Sequence, residues 1–63
     1  MDNEWTIQVD GEHGWFEHSS GFCSGGLWFD GVELIDYDGC YELHRNVIKK
    51  LRDMGYVVSS EFE

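Results

Sequence analysis

Residues Cys40 to Met54, CYELHRNVIKKLRDM, constrain the fold of this 63-residue chain more than any other stretch. On a period of 3.6, Cys40, Leu43, Val47, Leu51 and Met54 fall on one stripe, while Glu42, Arg45, Lys49, Arg52 and Asp53 take the opposite side. A helix over residues about 39–54 with one apolar face needs a surface to bury it against, and the rest of the chain has to supply that surface. Asp38 is the expected N-cap, its carboxylate accepting from an orphan backbone N–H. Gly55 is the expected left-handed residue that stops the helix. All four Lys and Arg residues lie in this stretch. There they offset the negative end of the helix dipole, and Lys49 is placed to pair with Asp53 at i,i+4.

The covering surface reads as β-structure. Trp5 to Val9 alternates with Trp5, Ile7 and Val9 inward, and Asp10-Gly11 gives a hairpin signal. The return strand, Glu12 to Glu17, then sets Gly14 and Phe16 on the core side and His13 and Trp15 outside, with Trp15 partly exposed. Residues 18–26, HSSGFCSGG, read as a loop anchored by Phe22. A second Asp-Gly step, Asp30-Gly31, pairs Phe29 with Val32, Trp28 with Glu33 and Leu27 with Leu34 in the simplest register. That leaves Leu27, Phe29, Val32 and Leu34 to receive the helix, and Trp28, Glu33, Ile35 and Tyr37 on the far side of the sheet. Tyr56 to Ser60 is expected as a final strand. The predicted fold is α+β: an antiparallel sheet of about four to five short strands packed on one α-helix, with a C-terminal strand, in a single domain spanning 1–63.

Composition narrows the function classes. A formal charge of −9, from 13 acidic and 4 basic residues, disfavours binding to bare nucleic acid or an anionic membrane and makes a basic partner the natural complement. A hydrophobic content of 41% without proline argues for an ordered fold. No apolar run is long enough to span a bilayer, and MDNEWTIQ has neither the basic nor the apolar region of a secretory signal. A cytoplasmic protein with free thiols at Cys23 and Cys40 is expected, a Cys23–Cys40 bridge being the alternative.

The signs of charge are segregated along the chain. Residues 1–39 hold nine carboxylates and no Lys or Arg. Acidic pairs stand two apart at Asp2 and Glu4, Asp10 and Glu12, Asp36 and Asp38, and Glu61 and Glu63. On an extended strand such a pair projects to one side at roughly 7 Å, comparable to the spacing of successive phosphates. A merely solvated surface would intersperse Lys among these acids, because unscreened carboxylates repel one another. Two readings follow: a carboxylate surface that occupies a basic site, or acidity serving general solubility.

Other chemistry finds less support. Glu12-His13 and Glu17-His18 repeat a Glu-His step, but His13 and His18 are five apart on a strand and a loop, and no CxxC or HxxxH pair is present. No metal, cofactor or catalytic residue is expected. An acidic setting would raise a Cys23 thiol pKa, and Gly25-Gly26 lacks the lysine of a phosphate cradle. His44 is expected to flank the core. The exposed aromatics Trp28 and Tyr37, with Ile35 and Trp15, would combine contact anchors with a rim of Glu33, Asp36 and Asp38, or else form a homodimer interface.

Small size, the Lys- and Arg-free segment from Met1 to Gly39, the acidic hairpins around the two DG steps and the single helix together resemble the small acidic anti-CRISPR proteins of phages that act as DNA mimics. The resemblance covers the whole chain and carries no diagnostic motif. It implies a non-enzymatic inhibitor, acting in the host-cell cytoplasm, that occupies the basic DNA channel or PAM-reading site of a CRISPR effector, most closely of the Cascade type. The partner is then a basic nucleic-acid-binding protein, with no direct contact to nucleic acid or membrane, and the chain a monomer or weak homodimer. Asp10, Glu12, Asp30, Glu33, Asp36 and Asp38 would compete for the basic groove, with Trp28 or Tyr37 packing locally. The basic helix departs from a purely acidic mimic and would serve as scaffold or face away. The competing class is a small acidic interaction or dimerisation module without mimicry.

Overall fold

The structure is a computed structural model and describes residues 4–39 and 43–62. Strands β1 (Trp5–Asp10), β2 (His13–His18), β3 (Ser24–Asp30) and β4 (Glu33–Tyr37) form one antiparallel sheet in the order β1-β2-β3-β4. Helix α1 (Arg45–Asp53) follows, and a short 3-10 turn spans Ser60–Phe62. The fold is α+β, with consecutive strands as neighbours throughout.

Both hairpins turn one residue later than the DG steps imply. Asp10 faces His13 and Asp30 faces Glu33, so the two-residue loops are Gly11-Glu12 and Gly31-Val32. Gly11 (φ 67°) and Gly31 (φ 65°) take positive φ, and no other residue type does among the described residues. Glycine in the first loop position carries the left-handed conformation alone, whereas a loop centred on Asp-Gly would demand it of the aspartate too. The shift slides each strand by two residues against its partner, so side chains keep their expected faces at Trp5, Phe16, Leu27, Phe29 and Leu34, all buried.

The register of the second hairpin then breaks. Phe29 faces Leu34 but Trp28 faces Asp36 and Leu27 faces Tyr37, so Ile35 is the extra residue of a β-bulge. The expected pairs Phe29–Val32, Trp28–Glu33 and Leu27–Leu34 are replaced. Val32, expected in the core, is an exposed turn residue. Beyond the bulge the faces are exchanged: Asp36 joins Trp28 on the outer side. Tyr37 turns to the core side, where its ring meets Phe62 edge-on at 5.8 Å.

The inner face buries Trp5, Phe16, Leu27, Phe29 and Leu34 against Leu43, Val47, Ile48, Leu51 and Val58. The helix is shorter than its amphipathic stripe. His44 is the N-cap in place of Asp38: its Nδ1 accepts from the Asn46 N–H at 3.1 Å, while an Asp38 carboxylate oxygen accepts from the Gly39 N–H at 2.7 Å. Residues 40–42, the start of the expected helix, lie outside the described residues. At the other end the expectation holds. Gly55 (φ 101°) donates to the Arg52 carbonyl and Tyr56 to the Leu51 carbonyl, a Schellman closure. Met54 falls beyond the helix and is half exposed. Lys49 pairs with Asp53 at 3.2 Å.

The C-terminal strand reduces to one parallel bridge, Val57 to Glu33, in which the Val57 N–H donates to Val32 and the Leu34 N–H donates to Val57. Arg52 fixes the exit of this segment by donating from Nη2 to the Val58 carbonyl at 2.7 Å. The loop between β2 and β3 is shorter than residues 18–26, because His18 ends β2 and Ser24 opens β3. Phe22 is 69% exposed, yet its ring meets His18 edge-on at 4.4 Å and Trp5 at 6.0 Å, so it ties the loop to the sheet as expected; Cys23 holds the loop as well, being buried and disulfide-bonded. The expectation of free thiols is overturned at Cys23. The sequence holds one other cysteine, Cys40, which lies outside the described residues.

Candidate partner-binding interface

With the helix on one side of the sheet, the outer side stays open. Its residues form rows across the strands. Gln8, Trp15 and Gly26 stand opposite one another, and Gly26 continues the row to Asp38 through a reciprocal pair of backbone hydrogen bonds at 3.1 and 3.0 Å. The next row is Asp10, His13, Trp28 and Asp36. Asp30 and Glu33 close the face at the second hairpin.

Two indoles occupy the middle of this grid. Trp15 is 44% exposed and Trp28 is 38% exposed, both too large to be left open without consequence. Trp28 lies back along its own strand: its Cη2 sits 3.0 Å from where a Cβ on Gly26 would stand. Gly26 is therefore the floor under the Trp28 ring, and His13 braces that ring at a centroid distance of 5.2 Å. Ile35, the extra residue of the bulge, adds an exposed apolar side chain on β4.

Carboxylates border these rings on two sides. Asp10, Glu12, Asp30 and Glu33 cluster where the two hairpin tips lie side by side, joined by the Phe29 N–H donating to the Glu12 carbonyl at 2.8 Å and the Gly31 N–H approaching Glu12 Oε2 at 3.5 Å. Asp36 and Asp38 line the β4 side. An oxygen of Asp36 accepts from the Tyr37 N–H at 2.8 Å, as one of Asp38 does from Gly39, which fixes the orientation of both groups. All four cations of the chain, Arg45, Lys49, Lys50 and Arg52, sit on α1 across the sheet from this face.

Seven of the eight residues expected to bind a partner are thus exposed on the open face or its rim: Asp10, Glu12, Asp30, Glu33, Asp36, Asp38 and Trp28. Tyr37 is not among them, because the bulge turns it toward the core. Gly26 and His13 belong to the face as floor and brace. Their signal was a glycine and a histidine at alternate positions beside tryptophans, legible only once the strand register is known.

The two Glu-His steps diverge. His13 faces outward, whereas His18 lies on the inner side against Trp5 at 4.8 Å, bonded to Ser20 Oγ at 2.8 Å and Glu4 at 3.3 Å. Among the described residues no three His, Cys, Asp or Glu side chains gather as metal ligands, and no helix is long and apolar enough to cross a membrane. Compared with known proteins, the chain matches no family model, no curated protein and no solved structure.

Proposed function

We propose that this chain is a non-enzymatic inhibitor that sets its open, carboxylate-rimmed sheet face into the basic DNA-binding site of a nucleic-acid-binding protein, in the manner of a DNA mimic. The observation that carries the reading is the segregation of charge in space. The sheet holds no Lys or Arg, and its acids converge on one face. A row of carboxylates on rigid strands is preorganised, so a cationic groove meets a fixed polyanion at little ordering cost. Long-range attraction would set the encounter rate, and the indoles would set the residence time.

The target class that fits the anti-CRISPR resemblance is a CRISPR effector, Cascade-type first, whose Lys and Arg meet target DNA. A cytoplasmic place of action goes with that target. The disulfide at Cys23 would then have to persist against a reducing poise, which thiol titration of protein recovered from cytosol measures directly.

The test is competition. Purified effector should bind the chain and lose target duplex in proportion, with affinity falling at least tenfold between about 50 and about 200 mM salt. Replacing Asp10, Glu12, Asp30, Glu33, Asp36 and Asp38 with Asn and Gln should abolish the competition; inhibition that survives this change sinks the proposal. The exposed pair Trp15 and Trp28 favours a second reading, an interaction or dimerisation module. Association that persists at high salt and ignores DNA would identify it.

A further inference from the structure

The open face carries a feature that a polyanion does not need. Phosphate mimicry requires carboxylates at intervals, and it is indifferent to aromatic rings between them. Here the six-membered ring of Trp28 reaches over Gly26, with Cη2, Cζ3 and Cζ2 within 3.7 Å of where a Cβ would stand, and its other neighbour is the His13 ring at 5.2 Å. Trp15, on the neighbouring strand, stands directly opposite Gly26. On the other side of the same two positions stand Asp36, opposite Trp28, and Asp38, hydrogen-bonded through its backbone to Gly26. One exposed indole thus lies beside two oriented carboxylates, and a second indole flanks it across the glycine. The juxtaposition depends on the bulge at Ile35, because without it Asp36 would point to the core side.

We propose that this cluster is a receptor for a single arginine side chain of the protein partner, its guanidinium stacked on Trp28 above Gly26 and its N–H fork directed at Asp36 and Asp38. The inference rests on the docking of a basic protein proposed above and deepens it by naming the contact that selects among basic surfaces. Charge complementarity commits the occupant to a cation. The residues facing the site from each strand are Gln8, Trp15, His13, Asp36 and Asp38, with no Lys or Arg among them. Planarity selects arginine over lysine. A guanidinium is flat, weakly hydrated and carries donors in a fork that two neighbouring carboxylates accept, whereas an ammonium is a compact, strongly hydrated point charge that gains less from an indole face.

The experiment uses the whole chain and two probes of equal charge, hexa-arginine and hexa-lysine, titrated while the indole N–H resonances of the three tryptophans are followed by NMR. Hexa-arginine should bind about three- to fivefold more tightly than hexa-lysine and should shift Trp28 and Trp15 but not buried Trp5. Trp28→Ala should reduce the arginine affinity to the lysine level. Asp36→Asn, a surface change that leaves the core untouched, should lower arginine binding more than lysine binding, and Gly26→Ala should do likewise by displacing the ring. Equal affinity for the two peptides, or arginine preference unchanged in Trp28→Ala, overturns the receptor. Equal affinity with a steep salt dependence would leave the polyanion reading standing alone. An intact arginine preference in a chain that blocks no DNA-binding protein would remove that reading and keep the receptor.

Discussion

Gly25 and Gly26 are adjacent in sequence and do opposite work. A Cβ on Gly25 would collide with the carbonyl oxygen of Asp38 and stand 3.0 Å from the Gly39 Cα, where two backbones cross with no room for a side chain. The atoms nearest a Cβ on Gly26 would all belong to the exposed ring of Trp28, the closest at 3.0 Å. Backbone cannot yield as an exposed ring can, so Gly25→Ala should destabilise the protein by about 2–3 kcal/mol and Gly26→Ala by well under about 1 kcal/mol. Paired urea unfolding curves of the two variants check this contrast; equal losses would mean that the crossing at Gly25 is not rigid. The distinction is invisible in the sequence, where both read as loop glycines. Tyr37 makes the same point from the other direction: its outward placement followed correctly from strict alternation, and one bulged residue, Ile35, reversed it.

Among the elements, what was legible depended on periodicity and what was not depended on single residues. Alternation of apolar residues located β1, β2 and the inner face of β3, and it survived the displaced turns because a two-residue slide preserves which side is buried. The helix stripe identified Val47 and Leu51, but the start of the helix was misplaced because His44 is an uncommon N-cap and Asp38 a favoured one. The open face was legible in its acids and in Trp28; its floor and bulge were not, since neither has a repeating pattern. The loop between β2 and β3 is where an element depends most on one bond. Cys23 is disulfide-bonded. A disulfide typically contributes about 2–4 kcal/mol by restricting the unfolded chain. In a domain this small that is a large share of the total. Reduction with a phosphine, or Cys23→Ser, should therefore lower the midpoint of thermal unfolding by more than about 10 °C. A shift of only one or two degrees would show that packing alone holds the loop to the core.

At the scale of the whole molecule, the cations of α1 and the carboxylates of the open face lie on opposite sides of the sheet, and two electrostatic effects compete. Carboxylates crowd the hairpin tips and the β4 side, and their mutual repulsion opposes folding. The cations of α1 attract those same carboxylates across the thickness of the domain, which favours folding. Distance decides between them. The acids are near neighbours along strands and turns, whereas the helix cations lie beyond the core and are partly committed locally, Lys49 to Asp53 and Arg52 to the Val58 carbonyl. With a net charge of −9 the repulsive contribution should dominate, and salt should relieve it because the groups are exposed. Raising NaCl from about 20 to about 500 mM is expected to increase the melting temperature by about 4–8 °C. The double variant Asp30→Asn, Glu33→Gln should start higher at low salt and gain less. A melting temperature that falls as salt rises would mean that attraction between the faces holds the fold together. The open face would then be part of the protein's own electrostatic balance, and its acids would be less available to a partner than proposed.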